Sequence, residues 1–124
     1  KGMRRVFASQ ELRTAAESAS SEARSAFGDG TLFLEKLIQH PRHIEVQILG
    51  DGRGQVIALG ERECSLQRRH QKILEESPAP HLSEITRKKI HAYAVRLASA
   101  MKYRSAGTVE FIVDSKERFY FLGH

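Results

Sequence analysis

From Arg42 to Leu49 the chain alternates residue by residue, with Ile44, Val46 and Ile48 on one parity and His43, Glu45 and Gln47 on the other. Successive strand side chains point to opposite sides of a sheet, so this run predicts a strand with one apolar and one polar face. Asp51-Gly52-Arg53-Gly54 follows at once. Turn residues between two apolar runs predict a hairpin, with a returning strand over 55–60. Upstream the period is different. Leu12, Ala15, Ala16, Ala19, Ala23, Ala26 and Phe27 recur every three or four positions, which predicts a helix from Gln10 capped by Ser9. Gly28-Asp29-Gly30 ends it, because glycine reaches the left-handed angles of a helix stop without steric cost.

The remaining segments fill in around these. Residues 1–7 read as a short strand, and Thr31 to Ile38 as a strand-like apolar run. Glu61 to Lys72 is polar and poorly periodic, and Pro78 and Pro80 break any helix or ladder. A second helix is expected from a Ser83 cap, carrying Ile85, Ile90, Tyr93, Ala94, Leu97, Ala98 and Met101 on one side. Gly107 to Val113 reads as a strand, Asp114 to Arg118 as a turn, and Phe119 to Leu122 as the partner strand. Hairpins imply antiparallel pairing, so the fold class is α+β with antiparallel strands and two main helices. The proline segment is the only candidate boundary, giving expected units 1–80 and 81–124.

Composition narrows the function classes. A chain of 124 residues with 40% hydrophobic and 28% charged residues is that of one folded domain. No apolar run approaches the ~20 residues of a membrane-spanning helix, and KGMRRVFASQ carries no leader-like apolar stretch. One cysteine, Cys64, excludes an internal disulfide and a multi-cysteine zinc site, and points to cytoplasm or mitochondrial matrix. It reads as a small packing residue. The net charge of +5 suits an anionic partner: nucleic acid, phosphate or nucleotide.

Three features exceed what folding needs. The polar strand face His43, Glu45, Gln47 is either solvated or lines a cleft. Gln67-Arg68-Arg69-His70-Gln71-Lys72 is a cationic run. It suits a solvated surface, a nucleic-acid patch, or a site where fixed positive charge offsets a triphosphate or holds bicarbonate. The absence of interleaved aromatic residues argues against a single-stranded nucleic-acid groove. Glu110 is a lone carboxylate inside Val109-Glu110-Phe111. It points to solvent or helps hold Mg²⁺ beside phosphates.

LEKLIQHPRHIEVQILGDGRGQVIALGERECSLQRRHQKILEESPAP at 34–80 resembles the nucleotide-binding core of biotin carboxylases. GTVEFIVDSKERFYFL at 107–122 resembles their following metal-bearing hairpin, and KGMR at 1–4 the end of their glycine-rich loop. PRHIE and ERECSLQRRHQK carry the resemblance best, and AGTVEFIVDSK is most like the acyl-CoA type, the propionyl-CoA or methylcrotonyl-CoA carboxylase alpha subunit. The resemblance implies an ATP-grasp fold, incomplete at both ends, with 1–80 as lid and nucleotide-binding subdomain and 81–124 as the start of the next. It implies an ATP-dependent ligase that makes carboxyphosphate from ATP and bicarbonate, then carboxylates biotin. Glu35, Lys36, Leu37 and Ile38 would be the hinge meeting adenine, with Met3 and Gly2 beside the adenine and lid loop. His43 would approach the ribose, and Gln67 and His70 would lie along the nucleotide. Lys72 would hold bicarbonate, Glu45 would sit in the active-site shell, and Glu110 would bind Mg²⁺ or Mn²⁺.

Implied partners are ATP, bicarbonate, a biotin carrier domain and the remaining carboxylase domains, in an oligomeric parent away from membranes. The family's hairpin continues into a Glu-Met-Asn-Thr-Arg type stretch, whereas Gly123-His124 follow Leu122 here. The expectation is that this piece alone does not turn over. The alternative readings are a non-catalytic nucleotide-binding or regulatory module, a basic nucleic-acid-binding domain, and a different ATP-grasp ligase such as a carbamoyl-phosphate synthetase.

Overall fold

The computed structural model describes residues 2–68 and 71–123, with the side chains of Gln67 and Arg68 outside the description. The chain divides into two compact units between Leu37 and Ile38.

In the first unit a 3-10 turn, Ser9–Glu11, leads into helix α1, Leu12–Phe27. Ser9 lies within that turn and caps nothing; the residue at the helix entrance is Glu11, which makes no side-chain cap bond. Gly28 ends α1 with φ 78° and its amide bonded to the Arg24 carbonyl. The alanine stripe buries only Ala19 fully. Its small side chains let the N-terminal segment lie close: a Cβ on Gly2 would sit 3.5 Å from both the Ala19 carbonyl oxygen and the Ala23 Cβ. Arg4 fastens the same segment to Glu22 at 2.6 Å. The strands expected over 1–7 and 31–38 do not form among the described residues. A strand satisfies its backbone groups only through a neighbouring strand, and among the described residues no ladder forms beside these segments. Phe33 and Leu34 stay 81% and 78% exposed.

The second unit is built on four antiparallel strands: β1 (Arg42–Asp51), β2 (Val56–Glu63), β5 (Arg104–Val113) and β6 (Phe119–Gly123), in the order β2-β1-β5-β6. Two-residue strands β3 (Gln67–Arg68) and β4 (Gln71–Lys72) pair separately as a small ribbon. Helix α2, Glu84–Ala100, lies against β1 and β2. The Pro78–Pro80 segment lies within this second compact unit. β1 precedes that segment and β5 follows it, yet they pair from Arg42↔Val113 to Asp51↔Arg104. Ala79 and Leu82, from the segment itself, lie in the shared core.

That core is the apolar face expected for β1 (Ile44, Val46, Ile48) with Val109, Phe111 and Val113 of β5, covered by Ile90, Ala94 and Ala98. The buried stripe of α2 is Thr86, Ile90, Ala94 and Ala98, a strict four-residue repeat. Ile85 sits one residue, about 100°, off that line and is 69% exposed. Met101 and Tyr93 are also exposed. Ser83 caps α2 as expected, its Oγ accepting from the Thr86 amide. The Asp114–Arg118 turn supports this cap, because Glu117 accepts from the Ser83 amide at 2.8 Å and from Thr86 Oγ1 at 2.7 Å.

The hairpin expected at Asp51–Gly54 joins β1 and β2, but with a bulge. Ile48 pairs with Ala58 while Gln47 pairs with Gly60, leaving Leu59 extra. Gly60 takes φ 141°, a conformation side chains resist. The bulge shifts parity, so Glu61 turns to the α2 face and Arg62 to the opposite, polar face. On the α2 face Arg87 Nε and His91 Nε2 lie 2.7 and 2.6 Å from the Glu61 carboxylate. Burial pushes the Glu61 carboxyl up, but these two partners outweigh it and hold it below the usual value.

Candidate functional site

Residues directly opposite each other on neighbouring strands share a face. Arg62 of β2 pairs with Glu45 of β1, Glu45 with Glu110 of β5, and Glu110 with Gly123 of β6. One row across the sheet, on the face away from the core, thus reads Arg62, Glu45, Glu110, Gly123. Arg62 donates to Glu45 Oε2 through Nε at 3.0 Å, and to Gln47 Oε1 through Nη1 at 3.1 Å. Its Nε is also 3.3 Å from Glu75. The β3–β4 ribbon, closed by Gln67↔Lys72 pairing and the Ile73 amide on the Leu66 carbonyl, delivers Lys72 to the same place. The Lys72 ammonium contacts Glu45 Oε1 and stands 3.3 Å from Glu110 Oε1. His43 Nε2 lies 3.2 Å from Glu110 Oε2 and 3.8 Å from Glu45 Oε1.

Of the polar strand face, His43 and Gln47 remain partly exposed, Gln47 donating to the Gly107 carbonyl at 2.8 Å. Glu45 is only 1% exposed, so it faces neither solvent nor an open cleft as the alternation suggested. Burying a carboxylate is costly unless it is paired, and Arg62 and Lys72 supply the pairing.

The structure therefore brings together His43, Glu45, Lys72 and Glu110. Met3, Glu35, Lys36 and Leu37 belong to the first unit and are exposed, whereas Ile38 opens the second. His70 lies outside the described residues, and of Gln67 only the backbone pairing is described. Arg62 is the residue that sequence reasoning missed. Its signal is the change of parity after Gly60, visible only once Glu45↔Arg62 pairing is known.

The donor set suits a divalent cation. One ligand atom each from His43, Glu45 and Glu110 lie within 4.8 Å of one another. Carboxylate oxygens are the hard donors Mg²⁺ and Mn²⁺ prefer. Across the strand Gly123 adds no ligand; a Cβ there would lie 4.0 Å from Glu110 Oε2. Cys64 is fully buried, and burial, with Glu75 adding to it, pushes its thiol up. A thiol held protonated is a packing group.

A twisted antiparallel sheet with a helix on one face and a lysine–carboxylate cluster on the other is the α+β arrangement of an ATP-grasp subdomain. The chain belongs to the family described as carbamoyl-phosphate synthase L chain, ATP binding domain, which matches residues 1–123. Among its relatives, the propionyl-CoA carboxylase alpha chain of Ruegeria pomeroyi is 54% identical over 98% of this chain and 18% of its own length. Pyruvate carboxylase 1 of Caenorhabditis elegans is also 54% identical, over 98% of this chain and 10% of its own. Equal identity to both means that the match follows their common part rather than their acceptors. Among solved structures, a biotin carboxylase β,γ-ATP complex from Campylobacter jejuni superposes with a TM-score of 0.81 at 55% identity, covering 99% of this chain and 28% of that one. The biotin carboxylase domain of a thermophilic 2-oxoglutarate carboxylase bound to bicarbonate reaches a TM-score of 0.92 at 46% identity, with coverage of 99% and 28%. The chain thus corresponds to the ATP-binding part of a biotin carboxylase and spans less than a fifth of the curated relatives named. Among the described residues no helix is long and apolar enough to cross a membrane.

Proposed function

We propose that this chain supplies the nucleotide- and bicarbonate-binding surface of a biotin carboxylase, an enzyme that makes carboxyphosphate from ATP and bicarbonate and passes its carboxyl group to biotin. The observation that carries this reading is the meeting of Lys72, Glu45, Glu110 and His43 on one sheet face. Lys72, a compact point charge, holds bicarbonate. Glu45 orients Lys72 from beneath, and Arg62 holds Glu45 in place. Glu110 holds Mg²⁺ or Mn²⁺, which when bound offsets the charge of the phosphates. His43 meets the ribose, Gln67 and His70 line the nucleotide, and Glu35, Lys36, Leu37 and Ile38, with Met3, serve the adenine. The resemblance in PRHIE and ERECSLQRRHQK supports these roles.

The partners are a biotin carrier domain and the remaining domains of an oligomeric carboxylase of acyl-CoA type. The compartment is cytoplasm or mitochondrial matrix; the relatives include mitochondrial chains. Calorimetric titration of ATP, with and without Mg²⁺, into this chain and its Glu110→Gln variant tests the reading. ATP binds the unmodified chain, and the variant loses about tenfold in the Mg²⁺-dependent part, ~1.4 kcal/mol. No nucleotide binding, together with steeply salt-dependent binding of DNA, would instead favour the nucleic-acid reading.

A further inference from the structure

We propose that Lys72 is a displaceable internal cation, occupying the place between Glu45 and Glu110 that a divalent metal takes, so that metal capture by the carboxylates and anion capture by Lys72 are coupled. This deepens the reading above and rests on it, since it concerns how the same face is regulated.

The geometry sets up a competition. The Lys72 ammonium touches Glu45 Oε1 and lies 3.3 Å from Glu110 Oε1. Those carboxylates, with His43 Nε2, are the groups whose ligand atoms converge within 4.8 Å. A space of that size holds one cation between the two acids. A second cation placed beside the first is repelled by like charge at close range, so metal and ammonium exclude each other.

Of Lys72 and Arg62, the two described cations on Glu45, Lys72 is the one free to leave. Arg62 is held at several points of its guanidinium, by Glu45 Oε2, Gln47 Oε1 and Glu75 Oε2. Lys72 offers one atom on a flexible stem, carried by a two-residue strand, with 32% of its side chain exposed. Charge balance then gives the direction of coupling. Among the described residues, Glu45 faces the cations Lys72 and Arg62, and Glu110 faces Lys72 and the His43 ring. When Lys72 turns to an anion, Glu45 keeps Arg62, which Glu75 already shares, Glu110 keeps His43, and a divalent cation restores the balance. Metal binding therefore frees Lys72 for an anion, and an anion on Lys72 opens the place for metal. Linkage makes the two effects equal in size.

The test uses Mn²⁺ alone, titrated without nucleotide into the full 124-residue chain and read by the electron paramagnetic resonance of the free ion. Lys72→Met, which keeps the stem and drops the charge, binds Mn²⁺ about tenfold more tightly than the unmodified chain. Bicarbonate, corrected against a protein-free blank, tightens Mn²⁺ binding to the unmodified chain several-fold and leaves Lys72→Met unchanged. Lys72→Gln gives the same gain and guards against a loosened ribbon in the Met variant. The proposal is overturned if neither variant binds Mn²⁺ more tightly, or if bicarbonate tightens the Met variant as much as the unmodified chain. Because nucleotide is absent, failure of the ATP reading leaves this outcome separately readable.

Discussion

Glu45, Glu61 and Glu117 show how far surroundings govern one residue type. Glu45 and Glu61 are buried on opposite faces of one sheet, each held by an arginine and a second basic group. Glu117 closes the cap of α2. Hydrogen bonds from the Ser83 hydroxyl, the Thr86 hydroxyl and the Ser83 amide pull its carboxyl from 4.5 down to about 2. A carboxyl with a folded pKa below its unfolded one binds protons less readily when folded. Its stabilisation is complete above 4.5 and fades as pH falls toward 2. Glu117→Gln removes that share, so urea unfolding across this range should show a flatter loss of stability for the variant than for the unmodified chain. Parallel curves would mean that Glu117 is not held as described.

The element that most shapes the site is β2, because its bulge decides which side chains reach which face. Up to Ala58 the core-facing positions are Val56 and Ala58; after the extra Leu59 they become Glu61 and Glu63. Without that shift Arg62 would point at α2 and Glu45 would lose its arginine partner. Gly60 permits the shift at φ 141°. Gly60→Ala is expected to cost about 1–3 kcal/mol of unfolding free energy by urea titration, the price of a side chain in that region. An unchanged midpoint would show that the bulge tolerates a Cβ. Helix α1, by contrast, spends its apolar stripe on alanines and buries little, which suits close backbone approach rather than a large core.

At the scale of the whole molecule, the chain divides into two compact units between Leu37 and Ile38, and the segment from Thr31 to Leu37 carries exposed apolar residues without a ladder. Exposed irregular backbone is where proteases enter first. Brief chymotrypsin treatment should cut at Phe27, Phe33 or Leu34 and leave a fragment containing β1 to β6, identified by mass. An equally early cut inside 42–63 or 104–113 would contradict the division.

The alternation of Arg42 to Leu49, the Asp51–Gly54 turn, the Gly28 stop, the Ser83 cap and the Phe119 hairpin were all legible in the sequence, because each depends on a period or a turn within one segment. The resemblance in ERECSLQRRHQK likewise drew attention to Lys72, and three of the suspected side chains meet around it. The sequence alone could not show that Arg62, Glu45, Glu110 and Gly123 form a row, since register is a relation between strands far apart in the chain. Nor could it show that Glu45 is buried, because burial depends on what covers a residue. The apolar runs at 1–7 and 31–38 failed as strands for the same reason: strand propensity is local, but a strand exists only where another chain segment accepts its hydrogen bonds.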